Sequence, residues 1–177
     1  LLDPTGHPGG QKDYLFHNNG DGTFTDVTKK SGVAPAPSHG NSAVWWDFDG
    51  DGWPDLYVAN DFDVPDALYH NNHDGTFTDV IGQVVPHTPY SSMGSDLGDI
   101  NNDGRIDFMA ADMAATTHVG DQRTMAEPRA QLKDPDEGSL AAPHFPRNAI
   151  FLNTGVGRCL EVAQLAGLAA TDWTWSL

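Results

Sequence analysis

Cysteine is nearly absent from this 177-residue chain, with Cys159 alone. One thiol excludes an intrachain disulfide framework and a cysteine-built zinc site. Positive charge is also scarce: nine Lys+Arg stand against 25 Asp+Glu, a formal net charge of −16. A duplex nucleic-acid binder needs a basic face, and nine scattered cations do not supply one. No uninterrupted apolar run reaches the roughly 18 residues of a transmembrane helix. Glutamate is rare too. It occurs only at Glu127, Glu137 and Glu161, which leaves 22 Asp. Glu dominates solvated helical surfaces, whereas Asp prefers turns and oxygen-rich ion sites. With 19 Gly and 12 Pro, the chain reads as rich in turns and poor in long helices. A hydrophobic fraction of 38% is too high for a disordered acidic tail.

Against those absences stands a repeat. Residues 15–27 read LFHNNGDGTFTDV and residues 68–80 read LYHNNHDGTFTDV, identical at eleven of thirteen positions with an offset of 53. A worn third copy, IFLNTGVGRCLEV at 150–162, keeps Asn153, Gly157 and Val162 in register. It places Cys159 where the others have Phe24 and Phe77, so the thiol is expected in a small core position. An acidic nonapeptide alternates with this element: DFDGDGWPD at 47–55 and DINNDGRID at 99–107, offset by 52. Short apolar runs follow each.

The Asn/Asp/Gly clusters are tight-turn sequences flanked by β-prone runs, and so predict hairpins. The acidic loops lie between further short runs and join two more strands. Four antiparallel strands per unit of about 50 residues is the arithmetic of a β-propeller blade. The expected fold is therefore all-β, a partial propeller. Its parts are an outer hairpin at 13–28, a complete blade at 41–81, a second at 93–163 interrupted by an insertion at 112–148, and a first strand of a truncated blade at 171–177. The chain opens on Leu1-Leu2-Asp3-Pro4 with no signal peptide. It reads as a segment of something longer, expected to self-associate or unfold readily when expressed alone.

Asp47, Asp49, Asp51 and Asp55 occupy positions 1, 3, 5 and 9 of their loop, where alternate side chains of a curled backbone converge. The carbonyl of Trp53 is the natural additional ligand. In the second loop the set is Asp99, Asn101, Asp103 and Asp107, with the carbonyl of Arg105. Hard oxygens without His or Cys select Ca²⁺. Two Ca²⁺ sites are expected, the second weaker because Asn101 removes a charge. An EF-hand is rejected: position 12 is Val58 or Ala110 rather than Glu, and the flanks are strands. The bland alternative is a solvated acidic turn, which two equally spaced loops make hard to sustain.

D-x-D-x-D-G-x-x-D followed by an apolar strand and LYxNNGDGTFTDV resembles the FG-GAP/VCBS repeats of integrin-α-like β-propellers, and is similar to secreted bacterial proteins of the ASPIC/UnbV-associated group. The resemblance implies Ca²⁺ held by the nonapeptide between the first two strands of a blade, on the residues just named. It also implies an extracellular or periplasmic module for adhesion or interaction, with an unidentified protein or glycan partner and with the remaining blades of the same propeller.

No nucleophile elbow, metal-binding His pair, phosphate loop or dinucleotide fingerprint occurs, so no catalytic residue is assigned. The rival expectation is a polysaccharide-binding or hydrolytic domain with its site on the loop face and the 112–148 insertion, whose first half predicts a short helix around 119–132. The tryptophans read first as packing between blades, and second as a carbohydrate platform. His17 and His70 recur at equivalent hairpin positions and read as structural.

Overall fold

The Asn/Gly turns dictate where the chain reverses. In the computed structural model, which describes residues 12–33, 37–61, 64–124 and 142–175, β1 (Phe16–Asn18) and β2 (Phe24–Asp26) form the first hairpin. Asn18 Oδ1 accepts the Gly20 N–H, and Asp21 Oδ1 accepts both the N–H and the hydroxyl of Thr23. A single helical turn, α1 (Thr28–Ser31), follows.

Sheet one is a meander of β3 (Gly40–Trp46), β4 (Asp55–Asn60), β5 (Ala67–Asn71) and β6 (Phe77–Asp79), each antiparallel to the next. A second helical turn, α2 (Ile81–Val84), leads to the short β7 (Thr88–Pro89). Sheet two then forms from β8 (Ser92–Gly98) and β9 (Asp107–Asp112). The helix α3 (His118–Thr124) and the short β10 (His144–Phe145) intervene. β11 (Ala149–Asn153) and β12 (Cys159–Glu161) complete the sheet, and α4 (Ala163–Ala166) ends the ordered elements. Among the described residues the architecture is all-β, with two four-stranded antiparallel sheets, a lone hairpin and the short parallel pair of β7 with β10.

The repeat holds at the level of register. Asn18 pairs with Phe24, Asn71 with Phe77 and Asn153 with Cys159. The register shift between Gly40 and Ser42 recurs between Ser92 and Gly94, offset by 52. Alternation along the strands gives each sheet two apolar faces. One face of sheet one (Trp46, Tyr57, Ala59, Leu68) packs on one face of sheet two (Phe108, Ala110, Ala149, Phe151). Phe108 sits at the centre, with ring centroids 4.9 Å from Trp46 and Tyr57 and 4.5 Å from Phe151. Polar bonds cross the same junction: Asn153 Nδ2 donates to the Phe48 carbonyl, and the Ser42 and Ser95 hydroxyls lie 2.8 Å apart.

The opposite face of sheet one (Leu56, Val58, Ala67, Tyr69) borders a cavity of about 570 Å³ beside the lone hairpin. That hairpin leaves Tyr14, Phe16 and Phe24 exposed, whereas Tyr69, the repeat equivalent of Phe16, is buried.

The structure bears on three further expectations. Of the tryptophans, only Trp46 is buried between the sheets; Trp45, Trp53, Trp173 and Trp175 are exposed. The helix in the insertion covers His118–Thr124, and residues 125–132 of the expected 119–132 helix, with residues 133–141 of the insertion, lie outside the described residues. Residues 171–175, expected as a strand, form a bend: Thr174 N–H donates to the Asp172 carbonyl, and Asp172 has φ 60°. A strand needs a neighbouring strand for its hydrogen bonds, and among the described residues none pairs with this segment.

Candidate metal centre

Each acidic loop closes the turn between the first two strands of its sheet, and its own backbone amides hold the curl. In the first loop Asp47 Oδ1 accepts the N–H groups of Gly50 and Asp51 at 2.8 and 3.0 Å, and Oδ2 accepts that of Gly52 at 2.9 Å. Asp49 Oδ1 accepts the Asp51 N–H, and Asp51 Oδ1 accepts the Trp53 N–H. Gly50 and Gly52 stand at φ 79° and 88°, conformations that cost glycine least. Asp55 begins β4 and is fully buried. Its Oδ2 accepts the Phe48 N–H at 3.1 Å, and its Oδ1 accepts the Asn71 N–H at 2.8 Å, so it ties the loop to the hairpin.

The second loop repeats this wiring. Asp99 accepts from the N–H groups of Asp103 and Gly104, both at 2.9 Å. Asn101 Oδ1 accepts the Asp103 N–H, and Asp103 Oδ1 accepts the Arg105 N–H. The buried Asp107 accepts from Ile100 and Asn153 at 3.0 and 2.7 Å.

The side-chain surroundings differ. Carboxylate oxygens of Asp47, Asp49 and Asp51 lie within 4.8 Å of one another, and so do ligand atoms of Asp49, Asp55 and His70. His70 Nδ1 is 3.2 Å from Asp55 Oδ1 and 3.5 Å from Asp49 Oδ2. His73 Nε2 is 2.6 Å from Asp51 Oδ2, and its ring stacks on Trp53 at 4.9 Å. In the second loop the Arg105 guanidinium pairs with the Asp103 carboxylate and donates through Nε to the Asn153 carbonyl. Asn101 Nδ2 donates to Asp103 as well.

These contacts set the protonation of the loops. Burial, with the Asp49 charge nearby, raises the Asp55 carboxyl above its ordinary value despite its two N–H donors. The Trp53 N–H, helped by His73, holds Asp51 below the ordinary carboxylate value, and the Arg105 N–H does the same for Asp103. Ionised oxygens with spare lone pairs are suitable hard ligands.

The structure thus brings Asp47, Asp49, Asp51 and Asp55 into one loop and Asp99, Asn101, Asp103 and Asp107 into the other. Trp53 and Arg105 each supply a backbone N–H to the position-5 carboxylate. Reasoning from spacing missed His70 and His73. A signal was present: Asn71 is the hairpin residue that meets position 9 of the loop, so its neighbours on the hairpin lie against the acidic cluster.

The same pattern is found in known proteins. The profile of the FG-GAP-like repeat matches residues 6–58 and again 47–110, more than half of the chain together. Cartilage acidic protein 1 of Homo sapiens is 41% identical over 56 residues, covering 32% of this chain and 8% of that protein. The Mus musculus protein of the same name is 39% identical over 56 residues, again 32% of this chain and 8% of its own length. The Xenopus tropicalis one is 40% identical over 47 residues, 27% of this chain and 7% of its own. The matches thus span under a tenth of these curated relatives. Two overlapping profile matches, strands that repeat in register and an acidic loop built twice at one strand junction agree: this chain belongs to the FG-GAP-like repeat family.

Proposed function

We propose that this chain is a calcium-stabilised β-propeller segment that works outside the cytoplasm as a module for adhesion or for binding a protein or glycan partner. The observation that carries the reading is the duplicated loop of hard oxygen ligands at the first strand junction of each sheet. Asp47, Asp49, Asp51 and Asp55 with the Trp53 carbonyl would hold one Ca²⁺. Asp99, Asn101, Asp103 and Asp107 with the Arg105 carbonyl would hold the other. The ion would supply neutralisation: clustered carboxylates repel one another, and a divalent charge offsets that repulsion while fixing the turn. Its role is structural, and no reaction step is assigned to these residues. Extracellular calcium modules bind with Kd of about 10⁻⁴–10⁻³ M, a range that only a calcium-rich compartment fills.

Further blades of the same propeller are the first partners. Phe108, Ala110, Ala149 and Phe151, which sheet two presents to sheet one, are the repeat equivalents of Leu56, Val58, Ala67 and Tyr69. The latter four line the cavity beside the lone hairpin. We read that cavity as the seat of a neighbouring blade's inner strands.

Melting temperature measured in Ca²⁺ and in chelator tests the metal claim. A ligand at 100 times its Kd stabilises the native state by about 2.7 kcal/mol per site. The Asp47→Ala/Asp99→Ala double variant should lose this shift. No shift in the parent chain, or an equal shift in the double variant, overturns the reading.

A further inference from the structure

The first acidic loop differs from the second in holding a nitrogen ligand. β5 runs antiparallel to β4, and the Asp55 carboxylate fixes the N–H of Asn71, the residue next to His70. The imidazole is thereby brought to the inner wall of the loop. Its Nδ1 is sealed from solvent and has no hydrogen-bond partner, although it lies 3.2 Å from Asp55 Oδ1 and 3.5 Å from Asp49 Oδ2. Packing rather than hydrogen bonding sets its place, with an edge contact to the Phe48 ring at 6.0 Å. Each Asp55 oxygen already accepts one backbone N–H and retains a lone pair.

An imidazole nitrogen that lies beside two carboxylate oxygens and makes no hydrogen bond to either leaves all three without a shared partner. A cation seated between them would bond all three. Zinc binds nitrogen and oxygen at about 2.0–2.2 Å in tetrahedral geometry, which spaces its ligand atoms roughly 3.4 Å apart. The two distances from Nδ1 fall in that range. Calcium binds oxygens at about 2.3–2.6 Å and has little use for imidazole, whereas imidazole suits zinc and its neighbours.

We infer that Asp49, Asp55 and His70 form a site for a zinc-class divalent cation, with the fourth position open to water, and that this site shares Asp49 and Asp55 with the calcium ligands of the same loop. The inference rests on reading the loop as a cation site, and it makes the two ions competitors there. The second loop has no such alternative. Leu152 stands at the position of His70, Gly155 at that of His73, and the Arg105 guanidinium is paired with Asp103.

The test titrates the protein with Zn²⁺ and, separately, with Ca²⁺, at neutral pH and with melting temperature as readout. Co²⁺ replaces Zn²⁺ to report coordination through its visible d–d absorption. The variants are His70→Leu, which copies the second loop, and His70→Gln, which carries the comparison if the leucine variant does not fold. The control is His17→Leu, because His17 is the repeat equivalent of His70 and Leu2 stands at the position of Asp55. Zn²⁺ should raise the melting temperature of the parent and of His17→Leu, and this rise should vanish in both His70 variants. The Ca²⁺ rise should persist in all. The intense d–d bands of a tetrahedral cobalt site should require His70. A zinc rise that survives His70→Leu and His70→Gln overturns the assignment. So does its absence from the parent, which would leave a protonated imidazole as the partner of the two carboxylates. Loss of the calcium response alone would remove the calcium reading and leave this one; loss of the zinc response alone would do the reverse.

Discussion

The two sheets hold their backbones with the same bonds and distribute charge differently over them. At the loop end, Asp47 and Asp99 accept from the amides four and five residues on, and Asp55 and Asp107 join loop to hairpin. At the far end, the Asn60 N–H donates to Asp66 Oδ1 in sheet one. The equivalent Asp112 N–H donates to Asn148 Oδ1 in sheet two. Acid and amide have exchanged places around one bond. What the backbone requires at these positions is a carbonyl-type oxygen, which Asp and Asn both provide. The charge is left free to vary. In the first loop it is four carboxylates edged by two imidazoles. In the second it is three carboxylates, one amide and a guanidinium.

The largest effect should come from removing the shared bonds. Asp55→Ala leaves two buried N–H groups without an acceptor, and Asp107→Ala one buried and one half-buried, a loss of about 2–5 kcal/mol each. Urea denaturation should show nearly equal losses, and a wide difference would break the equivalence of the loops.

Next comes the exchanged pair. Burial pushes Asp66 up to about 7 and Asp112 up to about 6, even though each accepts several hydrogen bonds. The native state then keeps protons that the unfolded chain releases near pH 4. Stability contributed by this difference declines as pH rises from about 4 toward 7, by at most about 1.4 kcal/mol per unit and per group. Asp66→Asn and Asp112→Asn should each flatten the melting-temperature profile over that window in chelator, Asp66→Asn the more. A steeper profile in either variant would refute the sign. The depressed Asp51 and Asp103 act in the opposite sense, and their contribution is lost below about pH 4.

Exchanging residues between the loops sharpens the contrast. Asn101→Asp with Arg105→Trp gives the second loop the residues of the first at positions 3 and 7. It should tighten calcium there by about tenfold, or ~1.4 kcal/mol, read by isothermal titration with the first loop disabled by Asp47→Ala. The smallest effect belongs to Arg105→Ala in calcium-free buffer. Its guanidinium is largely exposed, so the ion pair contributes about 0–1 kcal/mol.

Much of this was legible because turn chemistry is local. Asn71 and Asp74 fold back on His73 and Thr76 within two residues, so the sequence alone locates the hairpin. Apolar residues on both sides of each loop gave the remaining strands. The parallel pairing of Thr88–Pro89 with His144–Phe145 was not legible, because it joins segments more than 50 residues apart that carry no repeat. The cluster of buried His87 with half-buried Arg147 and Glu161, which fixes the end of the insertion against sheet two, was hidden for the same reason. The exchange between Asp66 and Asn148 is visible at an offset of 82 only once the bond to Asn60 or Asp112 gives it meaning. His70 looked structural because its recurrence at His17 was weighed without the loop that its strand runs beside.

Cys159 fills the place of Phe24 and Phe77 at the pairing position opposite Asn153, and burial with the Asp107 charge nearby pushes its thiol up to about 12. Alkylating reagents consume thiolate, so while sheet two is closed the residue is almost inert. Once β12 detaches, the thiol regains ordinary reactivity. The rate at which iodoacetamide labels the intact chain is therefore a clock for the opening of this outer strand. With a single thiol in the sequence, the signal has one source.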